Sequence, residues 1–442
     1  MHVRDNAPEN ADRFPVENRV GRPVISGRFD AVTRRFLAAL ALLGTLAGCA
    51  EQDEGPPLLR WYVFDEQSGA FAGAARRCTE AARGRYRIEM AALPSDADQQ
   101  REQLVRRLAA ADPDIDLIGM DVIWTGEFAE AGWVLPWPDK AAERARAGRL
   151  ASAIDSATHA GRLWAAPFTT NTQLLWYRGD RMTASPKTWD EMFALAERLG
   201  ERGAIQAQGE RYEGLTVFFV SLLASAGGSV LAPDGLSVSL EEAPTRRALE
   251  VMRRLAHSPA ADPALSNARE DQTRLAFETG KPSFMLNYTY VWPSAHANVP
   301  ELARQMRWAR WPAVIAGRPS RVTLGGVNLA VGAHSRHPDL AFEAATCLAA
   351  EPNQRQAATL GGLPPTIAAL YDDAEVRATF PFADLLRETL RDAVQRPQTP
   401  LNADVSLAIS HTLHPMRDID PVADVARLRK AVGRALRSEG LL

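Results

Sequence analysis

Between residues 58 and 120 the hydrophobic period of the sequence switches repeatedly, and this alternation restricts the fold more than any other feature. Leu58-Leu-Arg-Trp-Tyr-Val-Phe64 and Arg85-Tyr-Arg-Ile-Glu-Met-Ala91 read as strands, residues 70–83 and Asp98–Leu108 carry apolar residues at helical spacing, and Ile115-Asp-Leu-Ile-Gly-Met120 is a compact buried strand. Strand, helix, strand, helix, strand predicts an α/β lobe with a mostly parallel sheet and right-handed crossovers.

The pattern then changes. After Trp164-Ala-Ala-Pro-Phe-Thr-Thr-Asn171 a new strand, Gln173-Leu-Leu-Trp-Tyr177, opens a mostly helical stretch that includes Trp189–Leu199, Leu215–Ala226 and Pro244–Leu255. Arg274–Gly280 reads as a helix end, Ser283–Asn287 and Val327–Val331 as strands, and the last hundred residues as helical. This order predicts a crossing near 165–171 and a return near 311–327, hence two lobes with a hinge. A chain of 442 residues also exceeds the roughly 250–300 at which one core stops growing. With 46% hydrophobic and 24% charged residues it can fill two cores, which excludes disordered and collagen-like classes. The expected division is 58–166 and 313–345 for lobe 1, and 167–312 and 346–442 for lobe 2.

The N-terminus predicts where the chain works. Residues 1–35 hold seven arginines, and the apolar run Phe36–Ala47 is too short to span a bilayer, which takes about 20 helical residues. Residues 1–48 therefore read as a signal peptide. The run ends in Leu46-Ala47-Gly48-Cys49, the pattern at which bacterial lipoproteins are cleaved and lipidated, so Cys49 is the expected anchor and residues 49–57 a polar, proline-bearing tether. The expected location is extracytoplasmic, held to the cell membrane by that lipid. Arg34-Arg35 before Phe36-Leu37 leaves both the general and the twin-arginine export routes open. Two cysteines remain, Cys78 and Cys347, which in an exported chain are either bridged or separately buried thiols. The near balance of 51 basic and 54 acidic residues, with no basic block, excludes a nucleic-acid footprint.

Catalytic and metal motifs fail one by one. Gly280-Lys281 is followed by Pro282 and lacks the upstream glycine of a phosphate loop. Asp112, Asp114 and Asp116 begin like a calcium loop, but Leu117 and Ile123 stand where glycine and glutamate are required. His334/His337 and His411/His414 have no further ligands nearby, so no metal is expected. Aromatic rings beside carboxylates and amides remain: Asp65-Glu66 after Trp61-Tyr62, Asp121 near Trp124, Asn171 before Trp176, Asn287-Tyr288 near Trp292. Sugars need this mixture, because their C–H faces pack on rings while each hydroxyl needs polar partners. Asp121 follows a predicted strand directly, at the carboxyl end of the sheet where open α/β sheets bind ligands.

The stretches Gly119-Met-Asp121-Val-Ile-Trp124-Thr-Gly-Glu127-Phe-Ala-Glu-Ala-Gly-Trp133, Ala166-Pro-Phe-Thr-Thr-Asn171-Thr-Gln-Leu-Leu-Trp176-Tyr177, Leu223-Ala-Ser-Ala-Gly-Gly-Ser229 and Gly325-Gly326-Val-Asn328-Leu-Ala-Val331 carry a resemblance. With the lipidation pattern and two lobes, the chain resembles the family 1 extracellular solute-binding proteins of ABC importers, the maltodextrin-binding type. Within that family it is similar to the trehalose-recycling lipoproteins of mycobacteria, from about Leu58 to the C-terminus.

The resemblance implies a two-lobed, type II periplasmic-binding fold and closure on a disaccharide, trehalose foremost. It also implies ABC permease subunits as partners, a monomer, no cofactor and no catalysis. Asp121 and Asn171 match the family's polar ligand contacts, Gly325 and Gly326 its backbone loop at the cleft, and Gln100 a glutamine early in the second helix. Tyr288 stands where the relatives have a stacking tryptophan, and the counterparts of Cys78 and Cys347 imply a disulfide. Beside these, Asp65 and Glu66 are expected as polar contacts and Trp124 and Phe218 as ring faces. Two departures are Ala408, where the relatives offer arginine, and a shorter segment between Trp292 and Trp308; a lost charged donor costs about 1.5–3 kcal/mol of binding. The rival reading is an exported carbohydrate hydrolase, with two carboxylates among Asp65, Glu66 and Asp121 set ~5–9.5 Å apart across a sugar bond.

Overall fold

A computed structural model of the protein describes residues 55–200 and 202–439. The expected leader, Cys49 and most of the tether lie outside the described residues. Strand β1 (Leu58–Phe64), helix α1 (Ala70–Ala81), β2 (Arg87–Leu93), α2 (Ala97–Ala109) and β3 (Leu117–Asp121) follow one another as the periodicity predicts. Helix α2 starts where Asp96 caps it, its carboxylate accepting the Gln99 N–H at 2.9 Å, and ends with Arg106 and Arg107 at the negative end of the helix dipole.

The chain continues through β4 (Ala165–Asn171), β5 (Leu174–Arg178), α3 (Trp189–Leu199), β6 (Ile205–Gln206) and α4 (Glu213–Ser225). Then come α5 (Glu242–His257), α6 (Glu270–Glu278), β7 (Phe284–Asn287), β8 (Met306–Ala309) and β9 (Gly325–Val331). The C-terminal part holds α7 (Pro338–Leu348), α8 (Glu351–Gly361), α9 (Asn402–Leu413) and α10 (Ala423–Ala435). The first sheet runs β2-β1-β3-β9-β4 and the second β8-β5-β7-β6. In the first, β1 is parallel to β2 and β3, while β9 returns antiparallel to both β3 and β4.

Each sheet has its own core. Leu59, Trp61, Phe71, Leu104, Ile118 and Phe168 fill the first, whereas Trp189, Phe218, Leu249 and Ile409 fill one side of the second sheet and Trp176, Met285, Tyr371 and Phe382 the other. Every residue of α4 from Gly214 to Ser225 is buried, so this helix runs through the second lobe rather than along its surface. Cys78 of α1 and Cys347 of α7 form a disulfide with an S–S length of 2.04 Å.

The passages between the lobes lie side by side. The Thr170 N–H donates to the Pro364 carbonyl at 2.8 Å, the Thr172 hydroxyl to the Thr323 carbonyl at 3.2 Å, and Gly325 pairs with Asn171. The expected boundaries shift accordingly. β4 stays in the first sheet to Asn171 rather than leaving at 166, and β9 rejoins it at Gly325 rather than 313. The boundary expected at 345/346 falls inside α7. Ala357 of α8 still belongs to the first core, because α8 packs on α1.

Candidate functional site

The strand register alone assembles three of the expected residues. Val327 of β9 stands opposite Asp121 at the end of β3, and Gly325 opposite Asn171 at the end of β4, so Asp121 and Asn171 flank the entry of β9 at the carboxyl ends of their strands. Both glycines are required there. A side chain at Gly325 would place its Cβ 2.0 Å from Asn171 Oδ1, and at Gly326, with φ 137°, 2.2 Å from the Thr169 carbonyl oxygen. Asn171 Oδ1 is buried and has no hydrogen-bond partner among the described residues.

From the second lobe, Arg396 reaches Asp121. Its side chain is 5% exposed, and one Nη donates to Asp121 Oδ1 at 2.7 Å while the other pairs with Glu213. Glu213 is the first residue of α4, the buried helix, so one guanidinium joins carboxylates from both lobes. Burial, together with the charges of Asp121 and Asp98, pushes the Glu213 carboxyl up to about 7 against the pull of Arg396. Tyr288, just past β7, is half-buried among Glu270, Arg396, Glu213 and Asp121; burial and the Glu270 charge raise its hydroxyl. Burial likewise raises the carboxyls of Glu270 and of Asp98, whose Oδ2 accepts the Glu213 N–H across the cleft at 3.3 Å.

A second tie joins the two lobes through Arg269. Arg269, preceding α6, is held by Glu210 through Nε at 2.8 Å and Nη2 at 2.5 Å and stacks over the Tyr212 ring at 4.6 Å. Its remaining Nη pairs with Asp96, the cap of α2 in the first lobe. The helix it grips carries Gln100, which is buried and whose amide reaches the Ser95 carbonyl at 3.3 Å.

Other expected residues stand elsewhere. Phe218 is a core ring, 6.0 Å from Trp189 and 5.4 Å from Trp311, and Trp124 stacks on Phe128 at 5.7 Å in the first core; neither presents a free face to the cleft. Glu66 accepts the N–H groups of Ser68 at 2.7 Å and Ala70 at 2.9 Å and so serves the start of α1, which has no side-chain cap of its own. Asp65 is exposed and holds the Gln67 amide at 2.6 Å. With Asp65 on Gln67, Glu66 on backbone amides and Asp121 on Arg396, the arrangement does not favour a hydrolytic pair among these acids. Ala408 is 1% exposed in the second lobe's core, so that position faces no ligand; the arginine at the cleft is Arg396.

Arg396 and Glu213 were absent from the expected set. Arg396 sits in an irregular Arg396-Pro397-Gln-Thr-Pro400 loop without periodicity, but an acid heading a helix with no other charged residue is a legible signal for Glu213. Among the described residues no three metal-ligating side chains converge. A concavity of about 480 Å³ lies on the outer face of α1 and β2, remote from Asp121, and another of about 290 Å³ runs between α4 and residues 394–398, with Arg396 in its wall.

The profile of the bacterial extracellular solute-binding protein family matches residues 88–355. A probable ABC transporter-binding protein of Deinococcus radiodurans is 29% identical over 326 residues, 71% of this chain and 76% of that protein. Among solved structures, maltose-bound T. maritima MalE3 aligns with a TM-score of 0.78 at 24% identity, covering 85% of this chain and 98% of that one. The GacH receptor of Streptomyces glaucescens, solved unliganded and with acarbose, aligns at 0.77 and 19% identity over 86% and 99%. The fold is thus the two-lobed type of the maltose-binding proteins.

Proposed function

This chain belongs to the bacterial extracellular solute-binding proteins, and on that premise we propose that it is the sugar-capturing subunit of an ABC importer. In this reading it is an extracytoplasmic protein tethered through Cys49, and it closes on a disaccharide, trehalose foremost, without altering it. The observation that carries the reading is the meeting of Asp121 from the first lobe and Glu213 from the second on Arg396, beside the Tyr288 ring and where the three interlobe passages run together. A ring face, a guanidinium, carboxylates and the unpartnered Asn171 Oδ1 give stacking and hydroxyl partners in one place. Because the partners come from both lobes, a bound sugar favours the closed form by the contacts it makes only there.

The test is a thermal-shift and calorimetric screen with trehalose and maltose side by side. Trehalose raises the melting point and binds, and Asp121→Ala and Asn171→Ala weaken it by at least about tenfold each, the loss of a buried hydrogen bond. Unchanged affinity in both variants contradicts the site. Monosaccharide release on incubation contradicts the non-catalytic reading.

A further inference from the structure

Closing the lobes concentrates negative charge. Asp98 and Asp121 come from the first lobe and Glu213 and Glu270 from the second, and Tyr288 stands among the last three. The cations that act on these acids are Arg396, Arg269 and Arg101. All three are already engaged: Arg396 by Asp121 and Glu213, Arg269 by Asp96 and Glu210, Arg101 by Glu127. Asp98 and Glu270 have no salt-bridge partner among the described residues; Asp98 receives a backbone N–H and Glu270 lies beside the Tyr212 hydroxyl.

We propose that the cleft is a charge filter: it closes on neutral or amine-bearing saccharides and rejects those carrying phosphate or carboxylate. The proposal rests on the saccharide reading of this site and adds the class of sugar admitted. A phosphate entering here meets guanidinium groups that already hold carboxylates; the Arg396 Nε–H has no partner among the described residues, but a phosphate on it would stand beside Asp121 and Glu213 on the same guanidinium in a buried place. A protonated amine brings donors to acceptors that lack a cation. Besides burial, the charge of Asp96 raises the Asp98 carboxyl, and the charges of Asp121 and Asp98 raise that of Glu213.

The test is calorimetry at about pH 8, where Glu213 is charged, with trehalose, 6-amino-6-deoxytrehalose and trehalose 6-phosphate, and the same series built on maltose. The phosphate binds at least about a hundredfold more weakly than its neutral parent, as like-charge juxtaposition in an interface demands, and the amine binds as tightly as the parent or tighter. Glu213→Gln, which leaves Arg396 only Asp121, and Glu270→Gln, which removes an unpaired charge, each narrow the phosphate gap by about tenfold. A phosphate within about threefold of a neutral parent that does bind overturns the filter while leaving the saccharide reading intact. Binding by neither parent overturns the saccharide reading and the filter with it.

Discussion

Removing the Arg269–Asp96 tie should speed ligand release while leaving capture nearly unchanged. Glu210 and the Tyr212 ring fix the Arg269 guanidinium before it meets the other lobe, so little side-chain freedom remains to be lost on closure. The Asp96 side chain is 12% exposed and that of Arg269 31%, which sets the pair apart from surface pairs worth about 0.2–1 kcal/mol and places it with charged hydrogen bonds worth about 1.5–3 kcal/mol. Since the contact exists only with the lobes together, its loss lowers the closed-to-open ratio by about 10- to 150-fold, at about 1.4 kcal/mol per factor of ten. Asp96→Asn removes the charge but keeps the cap of α2, because asparagine caps as well as aspartate. Stopped-flow tryptophan fluorescence on Arg269→Gln, Asp96→Asn and the double variant measures release and capture separately. Release is expected to accelerate by at least about tenfold in each single variant with little further change in the double, as for two halves of one interaction. Release rates within about twofold of the parent in both single variants would refute the reasoning.

Glu213 gives a pH prediction. Its folded-state value of about 7 lies above the ordinary 4.5, so the folded protein holds this proton more tightly than the unfolded chain; the stability it contributes is full below 4.5 and lost as pH rises through about 7. Thermal melts between about pH 5 and about pH 8 should fall further for the parent than for Glu213→Gln. Replacing Cys78 and Cys347 together by serine frees a loop of 269 residues and should cost on the order of 5 kcal/mol by the chain-entropy argument, read from urea unfolding with and without reductant. Phe218→Ala should destabilise by about 3–5 kcal/mol without changing the ranking of sugars, whereas Tyr288→Ala should weaken sugar binding and Tyr288→Phe retain most of it.

Periodicity made the first three strands and the helices between them legible, because the helices bury one regular face and β3 is a continuous apolar run buried on both faces. In the sequence β4 reads as a crossing segment. Pro167 interrupts it, and a proline is tolerated there because β4 is the edge of its sheet and Pro167 lies opposite Asn328, where the β9 register shifts. β8, four residues with Arg307 inside, is too short for its alternation to stand out. Within the candidate site, strand ends and likeness point to Asp121, Asn171, Tyr288 and the two glycines, and the structure sets Asp121, Asn171 and the glycines together at the entry of β9 because such positions are fixed by local sequence. Arg396 and Arg269 are not legible in this way. Their roles arise where one lobe meets the other, and nothing within a few residues of either encodes the carboxylate it will meet. Phe218 and Trp124 were misplaced for the opposite reason: a ring in a sequence looks the same whether it faces a ligand or a core.

Small-angle X-ray scattering of the protein with and without the disaccharide that gives the largest thermal shift tests closure most directly. Capture between lobes predicts a smaller radius of gyration with sugar, and a smaller response when Asp121 or Arg396 is replaced by alanine. A radius that stays the same on saturation with a sugar that binds contradicts it.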